Sequence, residues 1–425
     1  MSRVAIFVSG CSMNQALGEI IKSLYRDMLV DSIQEADVII LNLCAVKKPT
    51  EDRGISLARK LIRSQKKVII TGCLAESDPI RISKLVRGAH LISLQHLLEL
   101  PPEEFICRIK EAEKPIISTG LRLNICYPSK RILRNPLVGI VPIAFGCTNY
   151  CTYCLDKRIW GSTKSIPPHM LIDEVRNLLR KGVREIRITA HDVAAYGIDI
   201  GTNLVELLEN ILKFEDEFMI RIGMASPNTF SQIADDLLSL MKDEERIYKF
   251  IHIPVQSGSD RILRLMNRPY TIEEYVELFM KIRKFLGSES TIATDVIVAF
   301  PTESEDDHKA TIRLLEELKP DITNLSRYGD RPGCMSSKIK PKIHSAVAKR
   351  RSIELFQVIR RISMEQNKKF IGRTLRVLFL ERRGAFLGRA FNNRIVYVQD
   401  IVDLGNFYSA KITRATWKSL YGRVE

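Results

Sequence analysis

Three cysteines lie close together in the segment FGCTNYCTYC, and their spacing indicates a metal site. Cys147, Cys151 and Cys154 are separated by three and then two residues. Cysteine thiolates bind both zinc and iron–sulfur clusters. Zinc usually takes four protein ligands, often as two C-x2-C pairs, and this segment has neither a second pair nor a histidine. Three thiolates on one loop therefore favour a 4Fe–4S cluster whose fourth iron is open to a substrate, with zinc and a chance grouping as alternatives.

A second set of cysteines is spread through the first part of the chain. Cys11, Cys44 and Cys73 each follow a short apolar run that predicts a β-strand, namely RVAIFVSG, ADVIILNL and KKVIITG. The carboxyl ends of parallel strands meet at one edge of a sheet, where α/β proteins hold their ligands. We therefore expect these three side chains to converge, although buried cysteines are also common in strands for packing reasons alone.

The order of predicted elements indicates an α/β protein with three regions. Residues 1–117 alternate strands and helices, which predicts a doubly wound parallel sheet. Residues 133–366 repeat the strand–helix unit about six times, which predicts an open or partial (β/α)6 barrel with its site at the carboxyl ends of the strands. Residues 367–425 are rich in short β patterns, and the stretch 112–137 is a candidate linker.

Composition narrows the class of protein. The 425 residues include 65 basic and 50 acidic ones, a net charge of +15. That charge favours a polyanionic partner such as nucleic acid, or else a solvated basic surface. No stretch approaches the ~18 apolar residues of a membrane span, and nine cysteines in so long a chain do not suggest a disulfide framework. We expect a cytoplasmic protein that does not bind a membrane.

Several motifs together resemble the methylthiotransferases of the radical S-adenosylmethionine (SAM) superfamily. GCSMNQ, NLCAV and TGCLAE resemble the family's three auxiliary-cluster motifs, and GCTNYCTYC resembles the superfamily's cluster loop. Three more segments resemble blocks found throughout the family, namely HIPVQSGSDRILRLMNRPYT, TDVIVAFPTESEDD and SRYGDRPG. The tail from GRTLRVLFLERRG onward resembles the RNA-binding TRAM domain. The resemblance covers essentially the whole chain. It implies an N-terminal methylthiotransferase domain, a radical SAM barrel and a C-terminal TRAM β-barrel in the three regions.

The segments HDVAAYGIDIGTNLVELL and MASP are similar to the archaeal and eukaryotic branch of this family, which acts on tRNA. That branch adds a methylthio group to C2 of N6-threonylcarbamoyladenosine at position 37, beside the anticodon. The resemblance implies two 4Fe–4S clusters, one on the loop triplet and one on the three strand-end cysteines. It also implies two SAM molecules per turnover, as methyl donor and as radical source. The implied partners are the tRNA anticodon stem-loop, an electron donor and a sulfur source, and we expect a monomer.

Positions in the family blocks suggest further residues of the cofactor or nucleoside pocket. These are Gln256, Ser257, Asp295, Asp192, Ser226 and Tyr153. Polar residues at strand ends are also common helix caps and turn formers, so the polar ones have a structural alternative. The ring of Tyr153 could pack on an adenine or shield the cluster.

The end of the chain has the composition of an RNA-binding surface. Residues 366–425 contain 12 Lys or Arg and 4 Asp or Glu, with aromatic residues interleaved. Basic side chains bind phosphates, and aromatic faces stack on unpaired bases. Arg382, Arg383 and Arg389 are the predicted phosphate contacts.

Several positions depart from the family pattern. Trp160 stands where an arginine usually precedes Gly161, Ala299 and Thr302 occupy glycine positions, and Cys334 replaces a threonine. None is a predicted cluster ligand, so the implied chemistry is retained. Two other functions remain open, which are methylthiolation of an aspartate in a ribosomal protein and non-catalytic RNA binding by a protein with structural clusters.

Overall fold

The computed structural model describes residues 2–46, 48–120, 127 and 131–425. These form two compact units. The first comprises Met1–Arg134, Phe145–Cys147 and Cys154–Ser162, and the second comprises Asn135–Ala144, Thr148–Tyr153 and Thr163–Glu425. Part of the predicted linker, residues 121–126 and 128–130, lies outside the described residues. No helix in the described part of the chain is long and apolar enough to cross a bilayer.

The first unit contains a five-stranded parallel sheet. Its strands are β1 (Val4–Val8), β2 (Val38–Asn42), β3 (Lys67–Thr71), β4 (His90–Ile92) and β5 (Ile117–Ser118), each beside its predecessor. The apolar strand β2 is buried along its whole length, as expected for a strand with neighbours on both sides. The predicted parallel α/β architecture is confirmed. The strand order of a doubly wound sheet reverses at a switch point, whereas the order β1-β2-β3-β4-β5 runs in one direction, so the sheet differs from the prediction in this one respect.

The helices of the first unit follow the strands in the predicted alternation. The amphipathic helix α1 buries Leu17, Ile20 and Ile21, whose spacing of three to four residues places them on one face. In chain order the helices are α1 (Ser12–Leu24), α2 (Lys48–Arg63), α3 (Cys73–Ser77), α4 (Pro79–Leu85), α5 (Leu94–Glu99), α6 (Pro102–Glu111) and α7 (Asp156–Trp160).

The second unit contains the predicted partial barrel. In chain order the strands of this part of the chain are β6 (Val138–Pro142), β7 (Ala144–Phe145), β8 (Lys164–Ser165), β9 (Glu185–Thr189), β10 (Met219–Arg221), β11 (Phe250–His252), β12 (Thr291–Val298) and β13 (Ile322–Arg327). Two three-stranded parallel sheets, β10-β9-β6 and β11-β12-β13, are joined by a bridge between Met224 and His252. The two parallel sheets have six strands in all, which matches the six strand–helix units that the sequence predicts; β7 and β8 form a separate pair.

Helices connect these strands, and local sequence defines where several of them begin. Capping boxes form at the starts of α12 (Ile272–Leu286) and α13 (Glu305–Leu318), from Thr271 with Glu274 and from Ser304 with Asp307, and they satisfy backbone N–H groups at the start of each helix. The helices are α8 (Pro168–Arg180), α9 (Leu204–Ile211), α10 (Pro227–Asp243), α11 (Asp260–Leu265), α12 (Ile272–Leu286), α13 (Glu305–Leu318) and α14 (Ser345–Lys368).

A closed five-stranded β-barrel follows α14, as predicted for the end of the chain. Its strands are β14 (Thr374–Arg383), β15 (Ala385–Ala390), β16 (Ile395–Val398), β17 (Phe407–Ala415) and β18 (Leu420–Val424), in the order β14-β15-β16-β18-β17. Buried and less buried residues alternate along β15 and β16, so each strand sends alternate side chains into the interior. That interior includes Val377, Phe379 and Val396.

Buried charges and backbone hydrogen bonds fix this barrel to the (β/α)6 part of the second unit. The carboxylate of Asp321 accepts hydrogen bonds from Arg283 and from Arg394 of the barrel. Nε of Arg184 donates to the carbonyl oxygen of Gly405 at 2.8 Å. Removing either partner of such a buried pair leaves an uncompensated charge, so these contacts define one docking geometry.

Candidate cluster and cofactor site

The three strand-end cysteines lie at the carboxyl edge of the first unit's sheet. Cys11 precedes α1, Cys44 follows β2, and Cys73 is the first residue of α3. The side chains of Cys44 and Cys73 share a hydrogen bond, and Cys11 interacts electrostatically with both. All three are present as thiols. The expected convergence is therefore observed, and the role of these thiols as cluster ligands stays a prediction.

The environment of these thiols opposes ionisation. The pKa of Cys11 is raised to about 11, chiefly because neighbouring protein atoms displace water around the thiol even though the residue is exposed at the surface, and the charges of Cys44 and Asp156 add to this effect. The pKa of Cys73 is also raised, first by its hydrogen bond with Cys44 and then by burial. A set of three thiolates at such a place needs a cationic partner, and bound iron is one.

Two glycines permit the backbone to pass close to the three thiols. A Cβ atom on Gly10 would lie 2.6 Å from the Cβ atom of Cys44, and one on Gly72 would lie 2.2 Å from Oδ1 of Asn42. Their φ angles of 131° and 73° are ones that glycine adopts readily and other residues rarely. Glycine is therefore required immediately before Cys11 and immediately before Cys73.

Buried polar atoms near these thiols also fit a ligand site. Nδ2 of Asn42 donates to the carbonyl oxygen of Asn14 at 2.9 Å, which ties β2 to α1. The side-chain oxygens of Asn14, Asn42 and Thr71 are buried and have no hydrogen-bond partner among the described residues. Such atoms commonly mark the place of an ion, water or ligand. The donor set and its surroundings therefore fit a cluster.

The described residues include no group of three or more Cys, His, Asp and Glu side chains placed to hold a single metal ion. Zinc gathers its ligands around one ion, whereas a 4Fe–4S cluster attaches each thiolate to a different iron. A cluster therefore requires a wider arrangement of thiols than zinc does.

The cluster loop contributes Cys147 and Cys154 to the first unit. The backbone N–H of Cys147 donates to the carbonyl oxygen of Gly161 at 3.2 Å, and Nζ of Lys157 donates to the carbonyl oxygen of Cys147 at 2.7 Å. The ring of Trp160 stacks on Phe145 with centroids 5.5 Å apart. Trp160, which replaces the family's arginine, is thus a packing residue that closes the loop.

Asp156 connects the loop electrostatically with the strand-end cysteines inside the first unit. The thiol of Cys154 donates to Oδ2 of Asp156 at 3.4 Å, and the backbone N–H of Asp156 donates to the sulfur of Cys154 at 3.4 Å. The charge of Asp156 also raises the pKa of both Cys11 and Cys73. The last cysteine of the loop and the three strand-end cysteines therefore belong to one electrostatic environment.

Cys151 belongs to the second unit, where an arginine contacts it. Nη1 of Arg268 donates to the sulfur of Cys151 at 3.1 Å, and Nη2 donates to Oγ of Ser226 at 3.0 Å. Oγ of Ser226 donates to Asn228, whose Nδ2 donates to Oδ1 of Asn149 at 3.2 Å. Asn228 and Asn149 line a cavity of about 460 Å³ beside the loop.

Asp192 and Ser226, two of the predicted pocket residues, are in direct contact. Oδ1 of Asp192 accepts from the backbone N–H of Ser226 at 3.1 Å, and Oδ2 accepts from Oγ1 of Thr229 at 2.8 Å. Burial raises the pKa of Asp192 above its usual value, and these hydrogen bonds oppose that shift. The carboxylate thereby holds Ser226, the N-cap residue of α10, so the position of Asp192 is set by residues at the start of that helix.

The other predicted polar residues lie around the ends of β11 and β12. Gln256 has a positive φ of 70°, and its backbone N–H donates to the carbonyl oxygen of Asp295 at 2.8 Å. Ser257 is buried beside it. The carboxylate of Asp295 receives Nδ2 of Asn324 at 2.7 Å and lies 3.2 Å from Nε2 of His252. The structure thus brings Gln256, Ser257 and Asp295 together.

Tyr153 packs among apolar side chains. Its ring meets the edge of Phe300 at a centroid distance of 6.4 Å and contacts the cluster of Ile262, Met266 and Phe300. These contacts fix the ring of Tyr153 among apolar side chains, and its role toward an adenine or the iron–sulfur cluster stays a prediction.

The three predicted phosphate contacts differ in accessibility. Arg382 and Arg383 are exposed, with the guanidinium of Arg382 5.2 Å from the Phe386 ring centre and that of Arg383 donating to Glu381 at 2.7 Å. Arg389 instead donates to the carbonyl oxygen of Asn393 at 3.1 Å, and its Nε is buried.

Arg389 is less accessible than the other two arginines. Burial lowers its pKa, while the buried carboxylate of Glu185 in β9 opposes that shift. The residue as a whole is partly exposed, so its role as a phosphate contact stays a prediction. Its electrostatic interaction with Glu185 could not be read from a local pattern, because Glu185 lies about 200 residues earlier in the chain.

Sequence reasoning also missed residues that contact the predicted ones. Arg268 binds Cys151, and His252 and Asn324 surround Asp295. Arg268 lies in the quoted block QSGSDRILRLMNRPYT, and His252 opens HIPVQSGS, so the motifs included both without assigning them a role.

Comparison with known proteins agrees with this geometry. Residues 141–315 match the model of the radical SAM superfamily, and residues 3–93 match "Uncharacterized protein family UPF0004". Among solved structures, the radical SAM methyltransferase TsrM of Kitasatospora setae, with cobalamin and a 4Fe–4S cluster bound, superimposes with a TM-score of 0.59 at 12% identity. That alignment covers 79% of this chain and 77% of TsrM. The fold and the cysteine loop thus define a radical SAM protein, the class that uses SAM and a 4Fe–4S cluster.

The curated relatives extend over the whole chain. A "Probable threonylcarbamoyladenosine tRNA methylthiotransferase" of Methanothermobacter thermautotrophicus is 35% identical over 97% of both chains. A "tRNA-2-methylthio-N(6)-dimethylallyladenosine synthase" of Fervidobacterium nodosum is 32% identical over 100% of this chain and 99% of its own. The chain belongs to the radical SAM tRNA methylthiotransferase family.

Proposed function

We propose that this protein adds a methylthio group to C2 of N6-threonylcarbamoyladenosine at position 37 of tRNA. The observation that carries the proposal is the convergence of Cys11, Cys44 and Cys73 at one sheet edge, in addition to the loop triplet. A radical SAM protein that only cleaves SAM requires one set of cysteines, whereas sulfur transfer gives a use to the second. The similarity to the M. thermautotrophicus relative, which extends over 97% of the chain, supports the choice of nucleoside.

Two sets of residues would hold the two clusters. Cys147, Cys151 and Cys154 would bind the first 4Fe–4S cluster, and Cys11, Cys44 and Cys73 the second. When bound, the first would supply the electron for reductive cleavage of SAM, and the second would hold the sulfur that is transferred, which comes from a separate sulfur source. A second SAM molecule is the methyl donor. The adenine C2 carbon has no leaving group, which is why a radical route suits this substitution.

The chain's own residues prepare the place of reaction. Gly10 and Gly72 leave space beside the strand-end thiols, and the buried amides of Asn14 and Asn42 hold α1 against β2. In the second unit, Asp192 and Ser226 form one polar group at the start of α10, while Gln256, Ser257 and Asp295 form another at β12. We assign these two groups to the cofactor and the nucleoside. Cys44 and Cys73 are buried, and exclusion of water around them would protect a radical from quenching.

The outer face of the C-terminal barrel would bind the tRNA. Tyr397 and Tyr421 are neighbours across β16 and β18, and their rings stack with centroids 5.4 Å apart. The guanidinium of Arg414 lies 4.0 Å from the Tyr421 ring centre, and Arg382 and Arg383 are exposed on β14. Stacked rings beside cations can bind unpaired bases and phosphates together. We assign this tyrosine pair and the three arginines to the anticodon stem-loop.

Nucleoside analysis tests the proposal. Purified protein with reconstituted clusters, SAM, a reductant and a sulfur source is incubated with tRNA that carries N6-threonylcarbamoyladenosine. We expect the digest to contain 2-methylthio-N6-threonylcarbamoyladenosine, identified by mass spectrometry, because the C2 position is the only one the chemistry addresses. The matched control is the same tRNA with unmodified adenosine at position 37.

Two outcomes would contradict the proposal. Unchanged tRNA together with a methylthio group on a ribosomal-protein aspartate would assign the same chemistry to a protein substrate. Unchanged tRNA and protein, with tRNA binding retained, would indicate a non-catalytic RNA-binding protein.

A further inference from the structure

The side chain of Arg268 donates three hydrogen bonds, and one of them is accepted by Cys151, a predicted cluster ligand. Its Nη1 donates to the sulfur of Cys151 at 3.1 Å, its Nη2 to Oγ of Ser226 at 3.0 Å, and its Nε to the hydroxyl of Tyr270 at 2.8 Å. Three bonds in different directions fix the plane of the guanidinium, which the single ammonium of a lysine cannot reproduce. The direction of the N–H that faces the sulfur is therefore set by the protein.

The two anchors of this arginine are themselves fixed. The guanidinium carbon lies 4.9 Å from the centre of the Tyr270 ring. The hydroxyl of Tyr270, a buried residue, reaches the carbonyl oxygens of Pro254 and Val255 at 3.0 and 3.1 Å. The backbone N–H of Ser226 is held by Asp192. Arg268 thus connects the cluster loop to the ends of strands β10 and β11, and its position does not depend on the loop alone.

We propose that Arg268 is a positioning residue that orients Cys151 and sets the reduction potential of the cluster on the loop triplet. An N–H···S hydrogen bond and a nearby positive charge both stabilise additional negative charge on the sulfur ligands. Reduction brings in one electron from an external reductant, and no bond forms or breaks. Arg268 therefore favours the reduced state and makes it accessible to a weaker reductant. The inference depends on the proposed function only in requiring a cluster on the loop.

A redox titration of the full chain tests this role. The reduced loop cluster is followed by electron paramagnetic resonance without SAM, in a Cys44→Ala background that removes the second cluster's ligand set. Arg268→Gln is expected to move the midpoint potential to a more negative value at equal iron content. Arg268→Lys should move it less, since it keeps the charge and loses the fixed geometry.

Arg264→Gln is the matched control. Arg264 lies on α11 four residues away and is exposed to solvent, so loss of its charge is expected to leave the potential almost unchanged. Tyr270→Phe is a second test that keeps the arginine and its charge. It removes the hydroxyl that anchors Nε, and we expect a smaller shift in the same direction as Arg268→Gln.

The outcomes separate this inference from the proposed function. An unchanged potential in Arg268→Gln at equal iron content would overturn the inference, and so would a shift that appears only when SAM is present. If Arg268→Gln fails to retain the cluster, an unchanged potential in Tyr270→Phe would overturn it instead. Absence of any cluster on the loop of the unaltered protein would contradict the proposed function itself.

Discussion

Ala299 and Thr302 have a backbone conformation that is usual for glycine. Their φ angles are 59° and 69°, in the turn that follows β12. A β-branched residue is especially disfavoured in this region because its Cβ substituents approach the backbone. The resemblance places both residues at positions where the family often has glycine, so this chain forms the turn with residues that are strained in it. Hydrogen bonds compensate in part, since Thr302 accepts from Arg261 through its carbonyl oxygen at 2.7 Å.

Replacing Thr302 measures that strain. We expect Thr302→Gly to be more stable than Thr302→Ala by about 1 kcal/mol, because alanine keeps the Cβ atom and glycine does not. Both variants lose the hydroxyl, so their comparison cancels its hydrogen bond to Arg261. The measurement is the midpoint of urea unfolding of the cluster-free chain. The usual order, in which glycine is less stable than alanine, would contradict this interpretation.

Single residues were predicted from sequence with uneven success. The positions of Cys11, Cys44 and Cys73 followed from the ends of apolar runs, because a strand's carboxyl end can be read from where its hydrophobic pattern stops. The side-chain contact of Arg268 and the electrostatic interaction of Arg389 could not be predicted in this way. Each depends on a partner more than 100 residues away, Cys151 and Glu185 respectively, and no local pattern encodes such a meeting.

At the scale of elements, strand register decides which side chains of the C-terminal barrel face solvent. Val396 and Val398 of β16 are buried, so Tyr397 between them points outward. Leu420 of β18 is buried, and Tyr421 is therefore beside Tyr397 on the outer face. The sequence IVYV predicts a strand but not which of its residues face outward, because all four are apolar or aromatic. The pairing of β16 with β18 was not visible in the sequence either, because these strands are parallel and separated by β17 in the chain.

The stacked rings of Tyr397 and Tyr421 lead to a prediction about tRNA binding. We expect Tyr421→Leu to weaken tRNA binding by about 1–3 kcal/mol, the usual value of a lost aromatic–base stack, with no change in salt dependence. Tyr421→Phe retains the ring face and should bind as the unaltered protein does. Arg382→Gln should instead lower the slope of log K against log salt by about 1, since it removes a phosphate contact.

Binding isotherms at several salt concentrations measure both effects. If Tyr421→Leu bound tRNA with the same affinity as the unaltered protein while circular dichroism showed a folded barrel, the tyrosine pair would not contribute to tRNA binding. An unaltered slope in Arg382→Gln would likewise show that Arg382 does not contact a phosphate.

At the scale of the whole molecule, the six predicted cluster ligands extend from residue 11 to residue 154. The α/β architecture and the partial barrel with its six strand–helix units followed from the order and periodicity of elements, whereas the closed terminal barrel followed from the resemblance to a TRAM domain. The sequential order of the first sheet followed from neither, because periodicity identifies strands without identifying their neighbours. The electrostatic link through Asp156 was also unforeseen, since it joins the loop to cysteines more than 80 residues earlier.

Iron and sulfide analysis of the anaerobically reconstituted protein tests the central claim most directly. Two 4Fe–4S clusters predict about eight irons and eight sulfides per chain. Cys151→Ala and Cys44→Ala should each retain about half, and only Cys44→Ala should still release 5′-deoxyadenosine from SAM under reduction. About four irons in the unaltered chain, or a Cys44→Ala variant that keeps all its iron and still methylthiolates tRNA, would contradict the assignment of a second cluster to the strand-end cysteines.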